Sequence, residues 1–242
     1  MGLVVPVALL VVWQLAVAGG VFSAGQLPPP VDVVSALGEL TSRGELWTHL
    51  GTSLSRVLAG YLSGALAGLA LGSLVGLSVN VQRLFGPTVA ALRTVPSLAW
   101  VPLLLLWFGI GEEPKVLLIA IGAFFPVYTT TASALSHVDP QLIEVGRAYG
   151  RRGFGLLLTV SLPAAAPALL NGLRLGLANA WLFLVAAELI ASSKGLGFLL
   201  IDSQNTGRTD VMLLSIVLLA VLGKLSDSVF GIVERRLVGV RR

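Results

Sequence analysis

The 242-residue sequence has no cysteine, only two histidines, and few charges, with Asp, Glu, Lys and Arg together supplying 12% of it. Without cysteine there is no disulfide framework, no thiolate metal site and no thiol chemistry. His49 and His137 are far apart in the chain, which argues against a haem- or metal-based oxidoreductase. A soluble domain usually carries about 25% charged residues. Charge this sparse cannot cover the surface of a 25.2 kDa globule in water. A soluble enzyme and a disordered chain are thereby excluded. Long basic runs are also missing. The net charge is +4 and no basic run exceeds two residues, so a pI near 10.0 does not indicate nucleic-acid binding.

What the sequence does have is apolar length: 55% of it is hydrophobic and its mean hydropathy is +0.90. A membrane-crossing helix needs about 20 mostly apolar residues. Six stretches qualify: Leu3–Phe22, Leu54–Val79, Val89–Phe108, Val116–Leu135, Ala164–Ala187 and Val211–Val233. They predict an all-α, polytopic membrane protein, read as one transmembrane domain over residues 1–242. The first span, residues 3–22, lacks the basic start of a signal peptide and has a longer apolar run, so it is expected to stay uncleaved. Spans two to four then occupy 54–135, and spans five and six occupy 164–233. Basic residues fall unevenly on the connections. Arg83, Arg147, Arg151, Arg152, Arg235, Arg236, Arg241 and Arg242 fall on one side, against Arg43, Lys115, Lys194 and Arg208 on the other. The positive-inside rule puts the first set, and both termini, in the cytoplasm.

Span two carries Gly60, Gly64, Gly68, Gly72 and Gly76, one glycine every fourth residue. That spacing puts all five near one helix face and lets a second backbone come close. Such a face can be a fixed packing seam or a surface that slides. Residues 27–50 form an external connection, with Leu27-Pro28-Pro29-Pro30 as a stiff start. Val33, Leu37, Leu40, Leu46, Trp47 and Leu50 then recur at roughly helical spacing, as in a helix lying at the outer interface.

The connection over residues 136–163 is longer than joining two spans requires. Asp139 can cap a short helix, Pro140 suits its first position, and Gly150 suits the left-handed residue that ends it. Leu142, Val145, Gly146 and Tyr149 share one face, while Gln141, Glu144, Arg147 and Arg151 lie on or near the other. Periodicity alone allows either docking on a soluble partner or a helix resting on lipid headgroups.

The residues themselves carry a more specific signal. Glu144-Val145-Gly146-Arg147-Ala148-Tyr149-Gly150, nine further residues and Val160-Ser161-Leu162-Pro163 resemble the EAA motif of ABC-importer permeases. Val145-Gly146 replaces the common Ala-Ala pair. Other similar segments are Leu27–Pro30, Ser53–Val57, Leu92–Pro96, Trp107–Gly111, Gly172–Gly176 and Ala187–Ile190. Together they resemble the sulfonate, taurine and nitrate permeases over nearly the whole chain. The resemblance implies a type I importer fold with six transmembrane helices in the bacterial inner membrane. It implies a homodimer of permeases, two ABC ATPase subunits and an extracytoplasmic solute-binding protein, with no cofactor of the chain's own. The match to the motif holds at Glu144, Gly150, Val160, Leu162 and Pro163, and the ATPase-coupling residues the resemblance implies are Glu144, Arg147, Gly150, Arg151, Leu162 and Pro163. The chain fits that division of labour, since it contains no phosphate-binding G-x-x-x-x-G-K-[ST] loop. A small anion is the expected solute, with bicarbonate and vitamin precursors as alternatives within the same permease class. A self-sufficient secondary transporter is the competing class, and it would call for repeats between the halves, which are not apparent.

Ionisable residues inside spans are costly and mark function by default. Arg56 and Glu188 lie near the outer ends of spans two and five, where snorkelling to the interface would account for them. Arg174 lies well inside span five, either paired with a carboxylate or lining the path of an anion. Pro96 and Pro102 should break span three, and irregular backbone at membrane depth belongs in a protein-lined or watery place. Arg93, Ser97, Trp100 and Arg174 are therefore the path candidates. No nucleophile, metal set or paired carboxylates at depth suggest an enzyme, and Glu112-Glu113 reads as a solvated outer pair.

Overall fold

Pro29 and Pro30 start a helix because the prolines fix φ and need no amide donor in its first turn. The computed structural model describes residues 4–23 and 25–239, and among them every regular element is helical. In chain order these are α1 (Val4–Ala18), α2 (Pro30–Ser42), α3 (Glu45–Leu77), α4 (Val79–Thr94), a short 3-10 turn (Ser97–Trp100) and α5 (Val101–Phe108). They continue with α6 (Glu113–Ser136), α7 (Pro140–Ala148), α8 (Gly153–Leu156), a π turn (Leu157–Ser161), α9 (Leu162–Ala191), α10 (Leu196–Asn205) and α11 (Thr209–Gly239).

Among the described residues four helical stretches are long and apolar enough to cross a bilayer, namely Glu45–Leu77, Glu113–Ser136, Gly153–Ile190 and Thr209–Arg236. A fifth crossing exists if Val79–Thr94 and Leu98–Phe108 count as one bent span. The first expected span, residues 3–22, begins outside the described residues and forms α1 of 15 residues. At 1.5 Å per residue it reaches about 22 Å, short of the hydrocarbon thickness of about 30 Å. Span three differs most from its expected bounds. Its helix starts at Val79, ends at Thr94 and turns by 86° before α5. The cause is local. Val95 precedes Pro96 and is held extended at φ −70, ψ 122, which ends α4. Pro102 breaks nothing, because it sits in the first turn of α5, where no donor is needed. The fifth span also starts earlier than Ala164. Much of the expected 136–163 loop is helical from Gly153 onward, and the combined helix Gly153–Ile190 has 38 residues.

The chain divides into two compact units, one of residues 1–55 and 185–222 and the other of residues 56–184 and 223–242. In the first, Val33, Ala36 and Leu40 of α2 pack with Leu46, Leu199, Val211 and Leu214. The apolar face of α2 thus packs on protein, and Val31 and Val34 are its exposed valines. Gly44, at φ +73, separates α2 from α3, so Leu46, Trp47 and Leu50 belong to the long helix that follows. Arg208 fastens this unit by donating to both carboxylate oxygens of Glu39 at 3.2 and 2.8 Å. Its guanidinium, hydrogen-bonded to Glu39, holds that carboxyl below its ordinary value.

In the second unit α6 is central. Its Leu118, Ile119, Ala123 and Val127 are fully buried. The five glycines of α3 lie against it in register. A Cβ at Gly60 would lie 2.9 Å from the Val116 carbonyl oxygen, at Gly68 2.9 Å from that of Phe124, and at Gly76 2.7 Å from that of Ala132. Gly172 and Gly176 of α9 come equally close to α6, against Thr130 and Val127. The four-residue glycine spacing therefore does form a seam between two backbones.

Candidate functional site

The short helix α7 is fixed by its own punctuation. The Asp139 carboxylate accepts the Gln141 backbone N–H at 2.8 Å, and Pro140 occupies the first helical position. At the other end Gly150 has φ +76. The Gly150 N–H donates to the Arg147 carbonyl at 2.9 Å and the Arg151 N–H to the Gly146 carbonyl at 3.0 Å. That pair of bonds is a complete Schellman motif, which satisfies carbonyls the helix end would otherwise orphan.

α7 packs on the segment that follows it through Gly146, its buried residue. A Cβ there would lie 2.6 Å from Leu156 Cδ1 and 2.9 Å from Val160 Cγ2. The two halves of the motif, fourteen positions apart between Gly146 and Val160, thus meet in space. The intervening residues make the tight turn at Gly150–Arg152, then α8 and the π turn. Pro163 explains why the helix widens at Leu157–Ser161. It has no N–H to give the turn below, and its ring crowds the carbonyl there. Leu162 and Pro163 are half-buried at the start of α9, whereas Glu144, Arg147 and Arg151 are exposed. So are Leu142 and Val145, and Tyr149 is 83% exposed. Among the described residues Glu144 has no ion pair with Arg147, its i+3 neighbour.

The path candidates are not gathered in one place. Arg93 is exposed in the last turn of α4. The side chain of Ser97 lies outside the described residues. Trp100 lines a cavity in the second unit together with Leu92, Ala67 and Phe125, a cavity that neither Arg93 nor Arg174 lines. Arg174 of α9 holds the α11 carboxylate of Asp227, with Nη2 at 2.8 Å from Oδ2 and Nε at 2.5 Å from Oδ1. Glu234 lies 3.7 Å from its Nη1. Sequence reasoning overlooks Asp227, although a carboxylate three residues after Lys224 in an apolar span is a visible signal.

Neither charge near the span ends snorkels. Glu188 is fully buried. It accepts the Ser53 hydroxyl at 2.9 Å and the Gly197 N–H at 2.8 Å, while Ser53 Oγ accepts the Leu196 N–H at 2.8 Å. α10 has no side-chain cap of its own, with Gly195 at φ +117 before it, so these distant residues satisfy its first donors. The His49 Nδ1 lies 3.0 Å from the Gly195 N–H and belongs to the same cluster. Arg56 is also buried, and its guanidinium grips Glu112 in a bidentate pair at 2.6 Å on both arms. Lys115 adds a third bond to Glu112 at 3.0 Å. Glu112 is thus exposed at the outer turn, as the sequence suggests, and is also paired. The Arg56 hydrogen bond, and then Lys115, bring its carboxyl down to about 2.

Comparison with known proteins decides the family. Residues 64–239 match the model of the binding-protein-dependent transport system inner membrane component. The chain belongs to this family. SsuC, the assigned aliphatic sulfonates transport permease of Bacillus subtilis, is 44% identical over 237 residues, 98% of this chain and 86% of its own length. Its Escherichia coli counterpart is 44% identical over 230 residues, 95% of this chain and 88% of its own. The taurine transport permease TauC of Escherichia coli is 37% identical over 236 residues, covering 95% and 85% of the two chains. Among solved structures, a chain of the inward-facing MetNI methionine ABC transporter matches with TM-score 0.69 at 22% identity, over 83% of this chain and 97% of that one. At that identity the likeness concerns the fold, which is that of a type I importer permease. The protein is thus a multi-pass membrane permease of an ABC transporter and not an enzyme.

Proposed function

We propose that this permease conducts a small anionic solute, an aliphatic sulfonate or a close analogue such as taurine, and is driven by a separate ABC ATPase that docks on α7. The observation that carries the coupling is the exposure of α7. A helix of nine residues is marginal alone. This one is capped at both ends and seated by a single buried glycine, yet it leaves Leu142, Val145 and Tyr149 in solvent between Glu144 and the Arg147–Arg151 pair. An apolar ridge rimmed by charge suits a protein groove. The solute class is supported by the relatives that share 44% of their residues with this chain and are assigned to aliphatic sulfonates. In the working complex two copies pair, the basic connections and both termini face the cytoplasm, and a binding protein delivers solute from outside. The path runs by the α4–α5 bend, where Arg93, Ser97 and Trp100 sit. Arg174, held by Asp227, ties α9 to α11.

The test exploits Gly150, whose Cβ would meet nothing within 4 Å, so its need for glycine is conformational rather than steric. A β-branched residue at φ +76 carries about 1–2 kcal/mol of strain, which asparagine largely avoids. Gly150→Val should abolish transport and binding-protein-stimulated ATP hydrolysis in reconstituted vesicles and weaken ATPase pull-down. Gly150→Asn should retain them. Wild-type behaviour of Gly150→Val in all three assays would remove α7 as the coupling element and favour a headgroup-bound helix.

A further inference from the structure

Of the four crossing helices among the described residues α11 is the least covered, and almost none of its most apolar stretch is buried by the rest of the chain. Its second half has two faces. At about 100° per residue, Gly223, Lys224, Asp227, Ser228, Gly231 and Glu234 share one arc, and from residue 223 to 234 that arc holds no aliphatic side chain. Leu225 and Val229 stand on the opposite arc, 56% and 60% exposed. A Cβ at Gly223 or Gly231 would meet nothing within 4 Å, so the polar arc borders open space. Lys224 stands at that space with 77% of its side chain exposed. Its Nζ is 3.7 Å from Asp227 Oδ2, too far for a hydrogen bond, and both Asp227 oxygens are already taken by Arg174. Lys224 is 13 residues from Val211 and 9 from Val233, the ends of the apolar run, hence about 20 Å and 14 Å from them. A lysine stem reaches about 6 Å, so snorkelling does not bring the ammonium out of the bilayer. A bare ammonium at that depth in lipid is costly, and such a residue normally faces protein or water.

We propose that the polar arc of α11 faces a water-filled path and that Lys224 is the cation that draws the anionic solute along it. This deepens the solute assignment above and rests on it. The Arg174–Asp227 pair is neutral, which leaves Lys224 to set the sign at its own level of the helix. Two other neighbours suit the arc less well. Lipid chains cannot solvate an ammonium near the bilayer centre. A second copy meeting this arc across a two-fold axis brings the same groups. Its nearest carboxylate is again engaged by Arg174, so Lys224 would gain a second ammonium and no free acceptor. A mobile anion in water has no such conflict. It pairs with the ammonium and, held by a single exposed charge, it can leave again.

The chain has no cysteine, so an introduced thiol reports water directly, because the reactive thiolate forms in water and not in lipid. The assembled transporter, in lipid nanodiscs open on both sides, carries Ser228→Cys, Leu225→Cys or Val229→Cys. It is treated with 2-sulfonatoethyl or 2-(trimethylammonio)ethyl methanethiosulfonate, and labelling of the permease is read by mass. Ser228→Cys should react much faster than the other two. Ser228 lies one turn from Lys224, about 6 Å away. A unit charge at that distance in water changes each reagent's rate about threefold, in opposite directions for the two signs. Adding Lys224→Gln to Ser228→Cys should therefore lower the anionic-to-cationic rate ratio about tenfold, a shift that a merely structural lysine would not produce. In vesicles holding permease, ATPase and binding protein, maximal ethanesulfonate uptake should fall for Lys224→Gln and fall less for Lys224→Arg. An unreactive Ser228→Cys means that a second copy or lipid covers the arc, equal rates at Ser228→Cys and Leu225→Cys mean that the arc is no path, and an unchanged ratio means that Lys224 draws no anion. Each of these overturns the proposal while the solute assignment stands. A wild type that takes up no sulfonate refutes the solute assignment instead, and the rate ratio still shows whether the arc draws an anion.

Discussion

The glycine seam makes a prediction in which one substitution has opposite signs at two sites of one helix. At Gly64 an added Cβ would sit 2.9 Å from both the carbonyl carbon and the Cα of Ala120. Both are backbone atoms of α6 and cannot rotate aside, so the helices must separate. Gly60, Gly68, Gly72 and Gly76 lie in the same close contact, so a separation at Gly64 loosens its neighbours as well. A gap of about 0.5–1 Å already forfeits a quarter to a half of each dispersion well along the stripe. Overpacking of this kind typically costs about 1–3 kcal/mol. Against it stands the intrinsic gain of alanine over glycine in a helix, about 1 kcal/mol. Gly64→Ala should therefore destabilise by up to about 2 kcal/mol net and lower the thermal midpoint. Gly51, on the same helix, meets nothing within 4 Å. There the helix-propensity gain acts alone, and Gly51→Ala should stabilise by about 0.5–1 kcal/mol. The assay is thermal unfolding of the purified permease in detergent, with helical ellipticity as the signal. If Gly64→Ala stabilises, or if the two variants shift the midpoint equally, the seam is not a tight backbone contact and the argument fails.

Further predictions concern the charge clusters. Arg174→Gln and Asp227→Asn should each lower the midpoint modestly, and a double-mutant cycle should return a small coupling of favourable sign, because both side chains are partly exposed and screened; zero coupling would mean the pair does not form in solution. Glu112 has a folded-state value near 2, below its ordinary 4.5, so its ionised form contributes stability that is complete above about pH 4.5 and is lost as the pH falls toward 2. Glu112→Gln should flatten the fall of the thermal midpoint across that window, and parallel curves for the two proteins would refute the link. Glu188→Ala leaves the buried Gly197 N–H without its acceptor and should cost about 1–3 kcal/mol, read as a fall in midpoint, with wild-type stability counting against its role as a remote cap.

Much of the fold follows from short-range chemistry. The length of apolar runs locates the crossing helices, a spacing of four places the seam glycines on one face, and Asp139-Pro140 with Gly150 brackets α7, because each of those signals is settled within a turn or two of helix. The bent third span shows the limit. Pro96 announces a break, since Val95 must go extended, but the 86° direction of the chain beyond it depends on what α5 packs against, namely α6. Helix length past the bilayer is also hidden. Residues 153–163 are apolar too, but Gly153, Gly155 and Pro163 conceal a helix that runs back to Gly153, where α7 packs on it through Gly146.

The charged residues are harder to read for one reason: each is explained by a partner remote in the chain. Glu188 and Ser53 are 135 positions apart, Arg174 and Asp227 are 53 apart, and Arg56 and Glu112 are 56 apart. Read alone, each invites either snorkelling or a solute path, since an isolated charge at depth is untenable. Paired, each becomes a tie between helices. Arg56 and Glu188 sit in apolar surroundings and are buried, so their burial is tolerable only because acceptors and donors are supplied to them. The coupling motif is the opposite case. Its residues are legible in sequence because their requirement is local geometry, a cap and a left-handed glycine, while the partner proposed for them is a different chain. The exposed face of α7 carries the proposed docking, whereas the buried charges are explained by the partners they have within the chain. A residue whose demands the chain itself meets belongs to the scaffold, and one whose demands stop at a well-made surface points outward, which is why Glu144 and Tyr149, and not Glu188, are where another subunit is to be sought.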